Sequence, residues 1–199
     1  MHLISIAGSA GTGKSTLINY LQQNNRGYNF KVVERKTSRS ILEDWNVTPQ
    51  DVNSNIDLFK TFQMEMLTRK FNDDTELLFN SSEKDVIITE RTFADLYTFA
   101  LIIMGHNNEH STWLKNYFNL CCQKQEIYNQ VFLLPYGQFP IQHDNVRPQY
   151  PHFNLLWAKA IEEFTYLLMS DKKININVHK IMDVDIQLRA NTVFSKLGL

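Results

Sequence analysis

Apolar residues recur along this chain in two rhythms: short runs rich in β-branched side chains, and longer stretches with helical spacing. Residues 2–7 read as a buried strand, followed by a glycine-bearing loop and a helix over 14–23. Residues 30–34 (FKVVE) give a second strand, and 53–78 carry a long helical pattern. A third strand over 84–90 (KDVIITE) leads into an apolar helix over 93–104. Residues 109–125 predict another helix and 128–134 a fourth strand. Pro135, Pro140, Pro148 and Pro151 then crowd into residues 135–152, a density that regular structure does not tolerate. A helix over 153–169, a strand over 174–181 and a last helix, with Asp183 as its cap or first-turn acid, complete the chain. Strands alternating with helices predict an α/β fold of three layers, in which a five-stranded parallel sheet is covered by helices on both faces.

Composition narrows the class. The 199 residues suit one domain with room for a lid, and 43% hydrophobic with 12% aromatic residues is ample for a core. A formal net charge of −1 argues against a protein that coats nucleic acid through bulk electrostatics. The longest apolar run, near residues 99–104, falls far short of the roughly 20 residues a membrane span needs. No basic leader with an apolar segment opens the chain. Cys121 and Cys122 are adjacent and supply no disulfide framework, so a reduced, cytoplasmic protein without a membrane partner is expected.

The chemistry begins at Gly8-Ser9-Ala10-Gly11-Thr12-Gly13-Lys14-Ser15, a full G-x-x-x-x-G-K-[ST] match between a predicted strand and an amphipathic helix. Glycines let consecutive N–H groups converge on one anion, and the helix start adds its dipole. Lys14 is expected to reach the β- and γ-phosphates of a nucleoside triphosphate, ATP or another, and Ser15 to sit on Mg²⁺. Thr16, one residue beyond the motif, is the weaker metal candidate but lies in the cofactor-binding run. No N-K-x-D of the GTPase type occurs.

Polar residues at strand ends are the next signal, because open parallel sheets bind ligands there. Glu34 ends the second strand, which the reading places beside the phosphate-loop strand. Its carboxylate is a candidate to take or fix an acceptor hydroxyl proton, and the alternative is an ion pair with Arg35, Lys36 or Arg39. Arg35 and Arg39 are candidates to hold an anionic acceptor, against the alternative of a solvated helix start. Glu90 is placed for the Mg²⁺ shell or the acceptor, and Arg91 to brace phosphates, against a structural Glu–Arg pair.

The phosphate loop with Glu34, then Thr61-Phe62-Gln63, then Glu90-Arg91-Thr92, resembles the P-loop nucleoside and nucleotide kinases. Among these, the deoxynucleoside kinases carry an acid after the second strand, an F-Q in the third helix and an E-R-S after the third strand. The resemblance implies a P-loop NTPase fold in which Gln63 reads a base edge and Phe62 or Phe59 helps form the base pocket. It also places Asp95 and Tyr97 near the acceptor. For Gln63 the alternative is a solvent-facing helix position. Asp144-Asn145-Val146-Arg147 resembles the D-G-x-R of the nicotinamide riboside kinase type of AAA-like ATP-binding proteins, many of them phage-encoded. That likeness implies a lid over about 135–152, with Asp144 on the acceptor side and Arg147 closing over the transferring phosphates.

The leading expectation is therefore a single P-loop kinase domain over 1–199. It would transfer the γ-phosphoryl group of ATP to a small nucleoside, deoxynucleoside or nucleotide. Two alternatives stay open: a kinase acting on a hydroxymethylated pyrimidine in phage DNA, and a P-loop ATPase or regulatory module that is no kinase. Oligomeric state, a homodimer included, is also open.

Overall fold

A computed structural model describes residues 2–34, 38–139, 151–170 and 176–199, without the side chains of 151–154 and 157. β1 (His2–Ala7) runs into the phosphate loop and α1 (Lys14–Gln23), and β2 (Asn29–Val32) follows. Three helices come next: α2 (Ser38–Trp45), α3 (Pro49–Ser54) and α4 (Ile56–Phe79). β3 (Asp85–Glu90), α5 (Phe93–Met104), α6 (Ser111–Gln125) and β4 (Gln130–Leu133) lead to α7 (Pro151–Ser170), β5 (Asn177–Lys180) and α8 (Ile186–Leu197).

All strand pairs are parallel, in the order β2-β3-β1-β4-β5. Side chains alternate across the sheet, so Leu3 and Ala7 of β1 face one core and Ile4 and Ile6 the other. The first core is closed by α4, α5 and α6 through Phe59, Phe62, Phe93, Leu96, Leu114 and Tyr117. The second is closed by α1 and α8 through Leu17, Leu21, Val193 and Phe194. Layers on both faces are what strands apolar on both sides require, and the expected three-layer α/β architecture holds. No helix among the described residues is long and apolar enough to cross a membrane.

Several boundaries follow different local chemistry from that expected. The helix expected over 53–78 is two helices, because Asn55 breaks the run and caps α4 by accepting from Asp57 N and Leu58 N. α3 has its own start signal, a capping box between Thr48 and Asp51 with Pro49 at its first position. α8 is capped by Asp185, which accepts from Gln187 N and Leu188 N; Asp183 lies outside the helix.

The expected position of β2 needs correcting. It is an edge strand, and β3 lies between it and β1. The burial explains the order: Val86, Ile87 and Ile88 of β3 are all buried, as a central strand demands, whereas Lys31 and Val32 of β2 are only half-buried. Glu34 thus sits two strands from the phosphate loop, at the same carboxyl edge of the sheet.

Candidate functional site

The phosphate loop leaves β1 by passing close to the end of β4. A Cβ on Gly8 would approach the Leu134 carbonyl oxygen to 2.6 Å, so only glycine fits. Gly13 is the N-cap of α1 in the left-handed region (φ 86°), and no side chain among the described residues caps the helix. The N–H groups of Lys14, Ser15 and Thr16 have no carbonyl within their own helix, and they open onto the loop together with its positive dipole end. Within the loop, Thr12 Oγ1 and Lys14 Nζ donate to the Ser9 carbonyl at 3.1 and 2.7 Å. The buried Ser9 Oγ has no hydrogen-bond partner among the described residues.

β3 delivers the facing residues. Glu90 lies opposite Ile6 in the β1–β3 register, and its carboxylate meets Lys14 Nζ at 3.5 Å and accepts from Ser15 Oγ at 3.4 Å. Arg91 follows with φ 66°, an uncommon conformation for a residue with a side chain. Its backbone is pinned to β1 on both sides: its N–H donates to the Ile6 carbonyl at 2.9 Å, and its carbonyl accepts from Ser5 Oγ at 2.6 Å. The Lys14 pKa is lowered from 10.5 to about 8, chiefly by burial and then by the neighbouring Arg91 charge, with Glu90 and Asp95 offsetting part of that shift.

The start of α5 serves packing more than anion binding. Asp95 Oδ2 accepts from Thr92 N and Thr92 Oγ1, closing a capping box, and Gln125 Oε1 accepts from Phe93 N and Ala94 N. Asp95, expected on the acceptor side, therefore spends one oxygen on the helix cap. Its buried Oδ1 has no hydrogen-bond partner among the described residues.

The structure brings Ser9, Thr12, Gly13, Lys14, Ser15, Glu90, Arg91 and Asp95 into one neighbourhood, with Gly8 at the foot of the loop. Gly11, Ser15 and Thr16 are exposed and Ala10 is half-buried. Phe59 and Gln63 lie instead inside the helical layer. Phe59 stacks on Phe99 with ring centroids 6.3 Å apart, and Gln63 is 2% exposed, accepting from Tyr117 OH at its carbonyl. Gln63 is thus a buried position, and the solvent-facing alternative for it is removed. Glu34 and Arg39 are exposed. Arg35, Asp144 and Arg147, and most of the expected lid, lie outside the described residues.

Two groups behind the site were not singled out from the sequence. Lys70 of α4 is 1% exposed and donates to Asp74 Oδ2 (2.9 Å) and Thr89 Oγ1 (3.1 Å). Thr89 Oγ1 and Tyr128 OH each donate to the same Asp74 carboxylate at 2.7 Å. This buried network holds the residue just before Glu90. Its only sequence signal is the Lys70–Asp74 spacing of four, which usually marks an exposed helix pair. Arg189, the second group, reaches the phosphate loop from α8, 177 residues away in sequence.

Loop, strand order and facing carboxylate together define a P-loop α/β fold like that of nucleoside kinases. A family model described as an AAA domain matches residues 3–189, and the chain belongs to that family. No curated protein matches the chain in sequence. Among solved structures, NadR protein in complex with NR is similar over 100% of this chain and 50% of its own, at TM-score 0.70 and 16% identity. Deoxyadenosine kinase from M. mycoides with bound dATP is similar over 100% of both chains, at TM-score 0.62 and 16% identity. A second NadR structure, with NAD and AMP-PNP, has TM-score 0.64 and 14% identity over 100% of this chain and 50% of that one. The chain therefore spans half the length of the NadR protein, and these likenesses establish the fold.

Proposed function

We propose that the protein is a kinase that transfers the γ-phosphoryl group of ATP to a nucleoside, deoxynucleoside or nucleotide-type small molecule. One observation carries the reading: Lys14 Nζ and Ser15 Oγ converge on the Glu90 carboxylate, at 3.5 and 3.4 Å, beside a helix start that no side chain among the described residues caps. The loop N–H groups and Lys14 bind and neutralise the β- and γ-phosphate oxygens. Ser15 and Glu90 supply the hydroxyl and carboxylate oxygens that Mg²⁺ prefers, so the residues present fit that ion. When bound, Mg²⁺ would offset phosphate charge. Arg91, whose backbone is held by β1 through both its N–H and its carbonyl, adds a second positive charge near Lys14.

In the transfer, an acceptor oxygen forms its bond to the γ-phosphorus as the bond to the β-γ bridging oxygen breaks, and ADP leaves. The acceptor proton passes to a carboxylate, for which Glu34 is the candidate. Its exposure at the carboxyl edge of the sheet supports that role. The likeness to deoxyadenosine kinase and to NadR supports a nucleoside-class acceptor.

The test is γ-labelled ATP incubated with separate nucleosides, nucleoside monophosphates and DNA carrying hydroxymethylated pyrimidines. Label on a small molecule, lost in Lys14→Ala, is expected. Label on DNA alone would move the acceptor to the polymer. Release of inorganic phosphate with every acceptor unlabelled would overturn the kinase reading.

A further inference from the structure

We infer that Arg189 is a positioning residue for the donor nucleotide, setting the turn of the phosphate loop and fastening it to the segment after β4. The inference rests on the reading that the loop binds nucleotide. Arg189 stands in the first turn of α8, whose side chains lean toward the helix start and so toward the loop. It is 1% exposed and the largest of the fully buried side chains among the described residues. Its guanidinium donates in three directions: Nε to the Asp183 carbonyl (2.7 Å), Nη1 to the Thr12 carbonyl (2.8 Å) and Nη2 to Gln138 Oε1. It also lies 5.1 Å from the centre of the Phe139 ring.

The bond to Thr12 has a consequence for the loop. In a trans peptide the carbonyl and the following N–H point opposite ways. With the Thr12 carbonyl held toward Arg189, the Gly13 N–H is turned to the other side of that peptide plane. A Cβ on Gly13 would sit 3.0 Å from Arg189 Nη1 and 3.4 Å from Phe139, so the guanidinium and the ring brace this turn from one side. Burial lowers the Arg189 pKa, partly offset by Asp183, yet a guanidinium remains charged in proteins. All three bonds go to neutral oxygens. The buried charge thus adds to the positive field at the loop, where an anion benefits from it. Lysine has no planar fork and cannot hold three fixed directions at once.

The experiment is calorimetric titration of wild type, Arg189→Lys, Arg189→Met and Gln138→Ala with ADP and with pyrophosphate. It is run at a temperature where circular dichroism shows each protein folded. Arg189→Lys keeps the charge and the stem, and so keeps the test open should Arg189→Met unfold. Both Arg189 variants are expected to bind ADP and pyrophosphate roughly tenfold or more weakly, the scale of one charge-assisted hydrogen bond. Gln138→Ala, which spares the Thr12 contact, should lose less. Binding within about twofold of wild type in Arg189→Lys and Arg189→Met would overturn the inference, as would a loss confined to ADP, which would place Arg189 at the base. Wild type that binds neither ligand would refute the nucleotide-binding reading itself.

Discussion

Replacing Lys70 by methionine should destabilise this fold far more than the usual substitution. Lys70 is 1% exposed and Asp74 0% exposed, so removing the cation leaves a carboxylate in the core whose remaining donors among the described residues are the Thr89 and Tyr128 hydroxyls. Breaking a buried pair from one side costs about 3–5 kcal/mol. For a domain near 200 residues, each kcal/mol moves the Tm by about 2–4 °C, so the expected drop is roughly 6–20 °C. Adding Asp74→Asn should restore part of that loss, because the amide bears no charge and still bonds the two hydroxyls. A coupling of about 1–3 kcal/mol is therefore expected for residues that share one network. Scanning calorimetry of the wild type, both single variants and the double variant gives the full cycle. A Lys70→Met shift under 2 °C, or strictly additive variants, would refute the argument that this pair is dry and mutually dependent.

Three further outcomes follow from the site and its sheet. Glu34→Gln should lower phosphoryl transfer by roughly 10²-fold, the scale of a positioned general base, with ADP affinity little changed. Loss of affinity instead would make Glu34 a phosphate- or metal-side group. Lys14, with a pKa of about 8, must be protonated to pair with phosphate. Nucleotide affinity should thus be flat below pH 8 and fall by up to about tenfold per unit above it, with proton uptake visible by calorimetry in two buffers. An affinity constant from pH 7 to 9.5 would contradict this. Asp85 is held well below the ordinary carboxylate value of 3.8 by Lys31 Nζ at 2.7 Å, the Ser82 N–H and Asn29. A depressed carboxylate stabilises the fold above its unfolded pKa and loses that contribution as pH falls through the folded one. The stability gap between wild type and Asp85→Asn should therefore close on acidification from pH 5. A gap that stayed constant would exclude the linkage.

What could be read from the residues is what local chemistry determines. The phosphate-loop motif and the limits of β1, α1 and α5 are written in neighbours within a few residues, and those limits emerge as expected. The split between α3 and α4 was also local, since Thr48-Pro49-x-Asp51 and Asn55 are cap signals, but the apolar period running through them masks the break. Strand order was not legible. β2 and β3 both look apolar in sequence, and only the burial of Val86, Ile87 and Ile88 on two faces makes β3 the central one. Glu90 and Arg91 stood out because they end a strand. Arg189 and Lys70 did not, since each acquires its role from partners that the fold brings in: Thr12 and Gln138 for the one, Thr89 and Tyr128 for the other.

In a kinase the γ-phosphoryl group reaches an acceptor other than water. Phosphorus NMR of one reaction containing the protein, ATP, Mg²⁺ and a pool of nucleosides and monophosphates resolves ADP, inorganic phosphate and new phosphoryl products together. A kinase predicts that ADP and the new phosphoryl product grow in equal amounts, with inorganic phosphate a minor signal and both products absent in Lys14→Ala. ADP matched by inorganic phosphate, at a rate unaffected by any acceptor in the pool, would exclude a kinase and leave a nucleotide hydrolase.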